Sequence, residues 1–293
     1  MTKLIEKSCG HLQLSVAPSL GGAIAALNWR GFPILRPLSP TAQLRANQCG
    51  SYPLIPWSNR IAQGEFSFAG QILQVKKNFG DSPHAIHGSG WLNAWHVGEE
   101  SDNGLTLELE QPANESWPWP WRGTQVFELE VNLLRVTLSY HNTSDVPVPV
   151  GLGFHPFFAD ADQSEICFKA TGVWLNDDDS LPLKEIEVPE RWNYPAFRKP
   201  QFGSVDNCFT GWNGCAKVHW PARKITAVLS SAATNAVLFI PEKVRNVVAI
   251  EPVTHINNAI NLLPSNSSNQ AMKLVSPGEC LCLSMEIRIS DDA

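Results

Sequence analysis

Val247-Val248-Ala249-Ile250-Glu251-Pro252 sets a carboxylate at the end of a run that otherwise reads as a fully buried strand. Burial disfavours the charged form of a carboxyl group, so an unpaired glutamate there is costly unless something uses it. A general base poised nearer to neutrality is one such use; a salt bridge to Arg60 or Arg245 is the rival reading. Gly151-Leu152-Gly153-Phe154-His155-Pro156-Phe157-Phe158 offers a complementary group. An imidazole between aromatic residues at a strand end can have its pKa tuned toward that of a general acid. A core histidine satisfied by a backbone bond is the alternative there.

Three further segments carry groups suited to holding a ligand. In Pro56-Trp57-Ser58-Asn59-Arg60-Ile61-Ala62, Asn59 and Arg60 stand inside an apolar stretch. The five donors of the guanidinium suit hydroxyl or carboxylate oxygens, although an arginine tying down loop carbonyls would have the same sequence. His84 and His87 stand at i and i+3. They could begin a metal site, but no third ligand follows at a familiar spacing, and no metal is expected. His87 precedes glycines and would sit where a ligand approaches the backbone, with Trp91 able to stack on a sugar ring. Two loop histidines bonded to carbonyls remain the plainer possibility. In Val205-Asp206-Asn207-Cys208-Phe209-Thr210-Gly211-Trp212, Asp206 or Asn207 could accept hydroxyl hydrogen bonds, or the pair could simply make a turn.

The elements that must position these groups read as strands. Period-two alternation runs through Leu12, Leu14 and Val16; Leu105, Leu107 and Leu109; Phe127, Leu129, Val131 and Leu133; Val136, Leu138 and Tyr140; and Leu281 to Ile289. Ala236 to Ile240 and Val247 to Ile250 are short apolar runs that suit strands buried on both faces. No capped helical pattern of comparable strength occurs. The reading is an all-β fold, a large antiparallel β-sandwich forming a single domain over residues 1–293. Loops are expected at 33–52, 78–90, 111–122, 176–203 and 264–270, where Pro, Gly, Asn, Asp and Ser concentrate.

Composition narrows the partners. With 43% apolar residues among 293 the chain can bury a large core, and a net charge of -6 gives no footprint for nucleic acid or an anionic membrane. No stretch of about 18 apolar residues is present to span a bilayer, and residues 1–14 lack the pattern of a signal peptide. The seven cysteines form no Cys-x-x-Cys pair and sit mostly among apolar neighbours, which suits reduced thiols and a cytoplasmic location.

Taken together, PLIPWSNRIAQGEF, HAIHGSGW, GLGFHPFF, VDNCFTGWNG and VAIEPVTHINNAINL resemble, in that order, the aldose 1-epimerase family, in particular its bacterial branch of about this length. The resemblance implies a galactose mutarotase-like sandwich with Glu251 as general base and His155 as general acid. It also implies substrate contacts from Arg60, His87 and Asp206, to which the reading of its own segment adds Asn59. Opening a hemiacetal removes the anomeric hydroxyl proton while protonating the ring oxygen, so one carboxylate and one imidazole suffice, without cofactor or metal. The implied partner is a small-molecule sugar; whether the chain is a monomer or homodimer is left open. Gly-Phe-His-Pro replaces a form with Asn before the His found in other branches, which puts the neighbouring hydrogen bonds in question. A non-catalytic sugar-binding sandwich is one alternative. An epimerase for phosphorylated or sulfonated hexoses is another; it would need a cationic pocket, for which Arg36, Arg45 and Arg122 are candidates. The Trp117-Pro-Trp-Pro-Trp121 segment could be an aromatic sugar platform or a rigid loop packed on the sandwich.

Overall fold

In the computed structural model, which describes residues 3–39, 41 and 44–291, alternation along the sequence becomes alternation of burial. Leu105, Leu107 and Leu109 of the strand Gly104–Gln111 are buried, while Glu108 and Glu110 face water. Val136, Leu138 and Tyr140 in Leu133–Asn142, and Met285, Ile287 and Ile289 in Cys280–Asp291, follow the same rule. One run breaks. Val131 was expected to continue the inward series of Phe127 and Leu129, but it lies in the turn between Trp121–Glu130 and Leu133–Asn142 and is 63% exposed.

Two large antiparallel sheets result. The main path of the twelve-stranded sheet runs Ile5–Cys9, Leu12–Ala17, Ala23–Trp29, Phe32–Leu35, Phe157–Phe158, Val248–Val253, Asn235–Ile240, Val205–Thr210, Gly172–Asn176, Pro182–Glu187. The nine-stranded sheet is centred on Cys280–Asp291, flanked by Leu133–Asn142 and Ile225–Ser231. Their inner faces share one apolar cluster. Phe168 of the smaller sheet meets Phe209 of the larger at 5.2 Å between ring centroids, and Trp220 meets Phe32 at 5.4 Å. This is the expected all-β antiparallel sandwich. Among the described residues the α-helix Ala259–Leu262 has four residues, and no helix is long and apolar enough to cross a membrane.

One expectation needs correction, and two open alternatives are decided. The expected loop 176–203 contains the strands Pro182–Glu187 and Tyr194–Arg198, which form outer edges of the two sheets, where polar sequence is tolerated because one side faces solvent. The segment that could have been a turn at Asp206 and Asn207 is the strand Val205–Thr210, paired on both sides. Trp117 and Trp121 are not a sugar platform: each is 1% exposed, packed against Trp57 and Phe66 or stacked on Tyr140. The segment is packed on the sandwich.

Phe168→Ala removes a ring that joins the two sheets and should cost about 3–5 kcal/mol in urea unfolding, whereas Val131→Thr at its exposed turn should change stability by less than about 0.5 kcal/mol. Equal losses from the two variants would contradict the assignment of Phe168 to the core and Val131 to the surface.

Candidate active site

Register across the larger sheet builds the centre of the site. Gly153 pairs with Val253 and Phe157 with Ala249, so antiparallel counting sets His155 opposite Glu251. The chain leaves regular pairing at His155, whose backbone N–H instead donates to the Tyr52 carbonyl at 3.1 Å. On the next strand Val237 pairs with Glu251. Two residues along, the row Phe157, Ala249, Phe239 and Asp206 runs across four strands. Residues two apart on a strand share a face. His155, Glu251, Val237, Phe157, Phe239 and Asp206 accordingly line one cavity of about 210 Å³.

The loop side of the cavity is held by side chains that satisfy backbone groups. His255 Nε2 accepts from the Ser58 N–H at 3.1 Å, Asn257 Oδ1 from Arg60 N–H at 3.0 Å, and Asn258 Oδ1 from Ala62 N–H at 3.1 Å. The segment after Glu251 thus clamps the segment that carries Arg60. Asn59, in a left-handed conformation with φ 58°, accepts from Arg60 Nη1 at 2.9 Å, and asparagine tolerates that conformation better than most residues. Arg60 Nη2 lies 3.7 Å from Asp206 Oδ2 across the cavity. Asn59 and His87 also bond to one another: Asn59 N–H donates to His87 Nδ1 at 3.0 Å, and His87 N–H donates to the Asn59 carbonyl at 2.8 Å. With Nδ1 an acceptor, neutral His87 carries its proton on Nε2.

Glu251 and His155 are 2% and 6% exposed, and Glu251 Oε1 lies 3.2 Å from His155 Nε2. Burial pushes the Glu251 carboxyl well above its ordinary range, the charge of Asp206 adds to this, and Arg60 opposes it. Burial also pushes the His155 imidazole well below its ordinary range, assisted by His87, Arg36 and Arg245. Both shifts favour neutral groups, so the contact is best described as one proton shared by a dry pair rather than as an ion pair of fixed charges. Two buried atoms of this pair, Glu251 Oε2 and His155 Nδ1, have no hydrogen-bond partner. The imidazole packs against Tyr52 at 4.8 Å and Phe157 at 4.3 Å between centroids, two rings that also touch one another at 6.3 Å. Its ring plane is therefore fixed.

The cavity gathers Glu251, His155, Arg60, His87, Asp206 and Asn59. The salt bridge of Glu251 to Arg60 or Arg245 that was one alternative does not form. His84 is structural: Nδ1 accepts from the Gln63 N–H at 3.1 Å and Nε2 lies 3.1 Å from the Asp179 carbonyl. Gly88 is needed because a Cβ there would collide with the Ile55 carbonyl, so the close approach expected of a ligand is made by the chain itself. Trp91 is 6% exposed and tilted against Tyr52, behind the cavity rather than open to it. Arg36 is spent on the Asn47 and Cys49 carbonyls and covers the Phe157 ring. Arg122 faces outward on the smaller sheet, and Arg45 lines a neighbouring cavity. Tyr52 and Phe239, which the sequence did not mark, also line the site, as does Arg245. Phe239 is one apolar residue in an apolar strand, and nothing short of the register distinguishes it.

The sequence profile of the aldose 1-epimerase family matches residues 5–288. The uncharacterized protein YphB of Escherichia coli K12 is 32% identical over 237 residues, 80% of this chain and 79% of that one. A structure of an E. coli K12 protein provisionally described as an aldose 1-epimerase superposes with a TM-score of 0.90 at 26% identity over 99% of both chains. A galactose 1-epimerase from Lactobacillus acidophilus shares the fold at a TM-score of 0.79 and 17% identity, over 99% of this chain and 95% of that one.

Burial and the Arg60 charge lower the His87 pKa to about 3, and burial lowers that of His255 to about 4. Each would take a proton near 6.5 in the unfolded chain but not in the folded one. The unfolded state then binds more protons, so stability present at neutral pH is lost as pH falls from 6.5 toward those values, by up to about 1.4 kcal/mol per pH unit per group. Nitrogen-15 spectra of the imidazoles should show both rings neutral at pH 5; titration of either near 6.5 would refute its placement.

Proposed function

Because this chain belongs to the aldose 1-epimerase family, we propose that it is a mutarotase, interconverting the α and β anomers of a free hexose with Glu251 as base and His155 as acid. The observation that carries this reading is the buried Glu251–His155 pair at 3.2 Å in the wall of the cavity, with Glu251 Oε2 left without a hydrogen-bond partner. The proton that burial favours on the carboxyl has only to cross to Nε2 to leave a base and an acid side by side. Glu251 then takes the anomeric hydroxyl proton through Oε2 while His155 gives its proton to the ring oxygen, and the C1–O5 bond opens to the aldehyde. After rotation about C1–C2, His155 recovers a proton from the O5 hydroxyl as O5 attacks the other face, and Glu251 returns one to the new anomeric oxygen. Charge never accumulates on the free sugar oxygens.

The remaining groups bind. Arg60 and the Nε2–H of neutral His87 donate to sugar oxygens, and Asp206 and the Asn59 carboxamide accept from or orient the hydroxyls around them. Tyr52 and Phe157 hold the acid in plane. This reading takes the chain as one catalytic domain in the cytoplasm, a location supported by seven free thiols. A second reading, a hexose bearing phosphate or sulfonate, is favoured by one observation: Arg245 lines the cavity with no carboxylate partner among the described residues.

Polarimetry of freshly dissolved α-glucose and α-galactose tests the proposal, with glucose 6-phosphate run in parallel for the second reading. Glu251→Gln and His155→Asn should fold and each lose about 10²- to 10⁴-fold in kcat, and Arg60→Ala should mainly raise KM. Full activity in Glu251→Gln would remove it from the mechanism. The rate needs one proton on the pair, so it should hold level through near-neutral pH. It should fall in acid below the ordinary imidazole range, where both groups are protonated, and in alkali above the ordinary carboxylate range, where neither is. An acid limb centred near 6.5 would contradict a buried His155.

A further inference from the structure

Beside the candidate site lies a larger cavity of about 680 Å³. Asn47 and Phe79 line both. The site itself, at about 210 Å³, is below the roughly 300 Å³ at which pockets for drug-sized ligands begin, so it holds one sugar ring and little else. The second cavity is large enough for another ring, and Glu251 and His155 are not in its wall. Whatever occupies it binds without reacting.

Its lining suits a sugar. Phe79 is 39% exposed at the junction, with its ring 6.0 Å from that of Trp91, which backs it. Asn78 donates to the Ile86 and Gly88 carbonyls and accepts from the Ile86 N–H, fixing the loop that presents Phe79. An exposed aromatic face held rigid by its own loop is apt for the apolar face of a pyranose. Leu92, 49% exposed, adds apolar wall. Asp81 and Arg45 are exposed in the same lining and make no side-chain hydrogen bond or ion pair among the described residues. Asn47 Oδ1, at the junction, is buried without a partner. An acceptor, a donor group and an unpaired amide around an aromatic face match hydroxyls better than a uniformly apolar ligand.

We infer that this cavity is a second sugar subsite, and that the substrate class is a reducing oligosaccharide whose terminal unit reacts in the smaller cavity while its penultimate unit lies against Phe79. This rests on the mutarotase reading. Anomerisation needs a free C1, so the second unit must be joined through another hydroxyl, and a cavity away from the acid–base pair meets that requirement. Binding energy gained on the unreactive unit can be used to position the reacting one.

The experiment has two arms. In the first, rates of anomerisation are compared for glucose and galactose against maltose, cellobiose, lactose and melibiose. At least one disaccharide should show kcat/KM higher by on the order of tenfold. Leu92→Trp, which fills the second cavity, should return that value to the monosaccharide level and leave glucose and galactose unchanged. In the second arm, calorimetry on Glu251→Gln should show the preferred disaccharide binding more tightly than the monosaccharide, with the difference abolished by adding Leu92→Trp. Equal kcat/KM for single and double sugars, or a disaccharide preference untouched by Leu92→Trp, overturns the subsite while the mutarotase reading stands. If no sugar responds in the first arm, the mutarotase reading fails, and equal affinities in the second then overturn the subsite as well.

Discussion

A carboxyl and an imidazole held 3.2 Å apart out of water set the terms for everything around them. Neither can be charged alone at low cost in such a place, because each loses its hydration on burial. Sharing one proton removes most of that cost and leaves a pair that can give at one atom and take at another. The arrangement survives only if water is kept out and geometry is fixed. Tyr52 and Phe157 pack against the ring, and all six residues of Val248–Val253 are buried. The sheet supplies the rest, since Glu251 sits on an inner strand paired on both sides.

The groups proposed to bind substrate are held by a different device. The segment with Asn59 and Arg60 is irregular, and irregular backbone near a core must find partners for its N–H groups. His255, Asn257 and Asn258 provide them, from the same stretch of chain that follows Glu251. Gly151 lets this happen: a Cβ there would overlap the His255 ring. Glu251 and the Arg60 loop are thereby tied to one segment, and the Asn59–His87 exchange of hydrogen bonds carries the tie to the next loop and fixes which His87 nitrogen is left free of the backbone.

Several ambiguities in the sequence have a common cause. A tryptophan-rich run, a polar stretch and an Asp-Asn pair each have local meanings that sequence reports faithfully, yet the neighbours that decide between those meanings are distant in the chain. Trp117 is covered by Trp57 and Phe66. The polar stretch at 176–203 can form strands because it lies at sheet edges. Val131 keeps the inward parity of its run but falls at a hairpin, where the strand ends and the face it would have shared is gone.

By itself the sequence determined the strands, through period-two alternation that translates directly into one wet and one dry face, and hence the sandwich. It also marked Glu251 and His155, because a titratable residue inside an apolar run is costly wherever the chain goes. What it left open was which of these groups meet. His155 and Glu251 are 96 residues apart, and only the pairing of Gly153 with Val253 and Phe157 with Ala249 brings them face to face. The same register recruits Phe239 and leaves Arg36 behind Phe157, bound to carbonyls. Side-chain period is a property of one strand and is written in its residues; register is a relation between strands, fixed by the packing of the whole sheet.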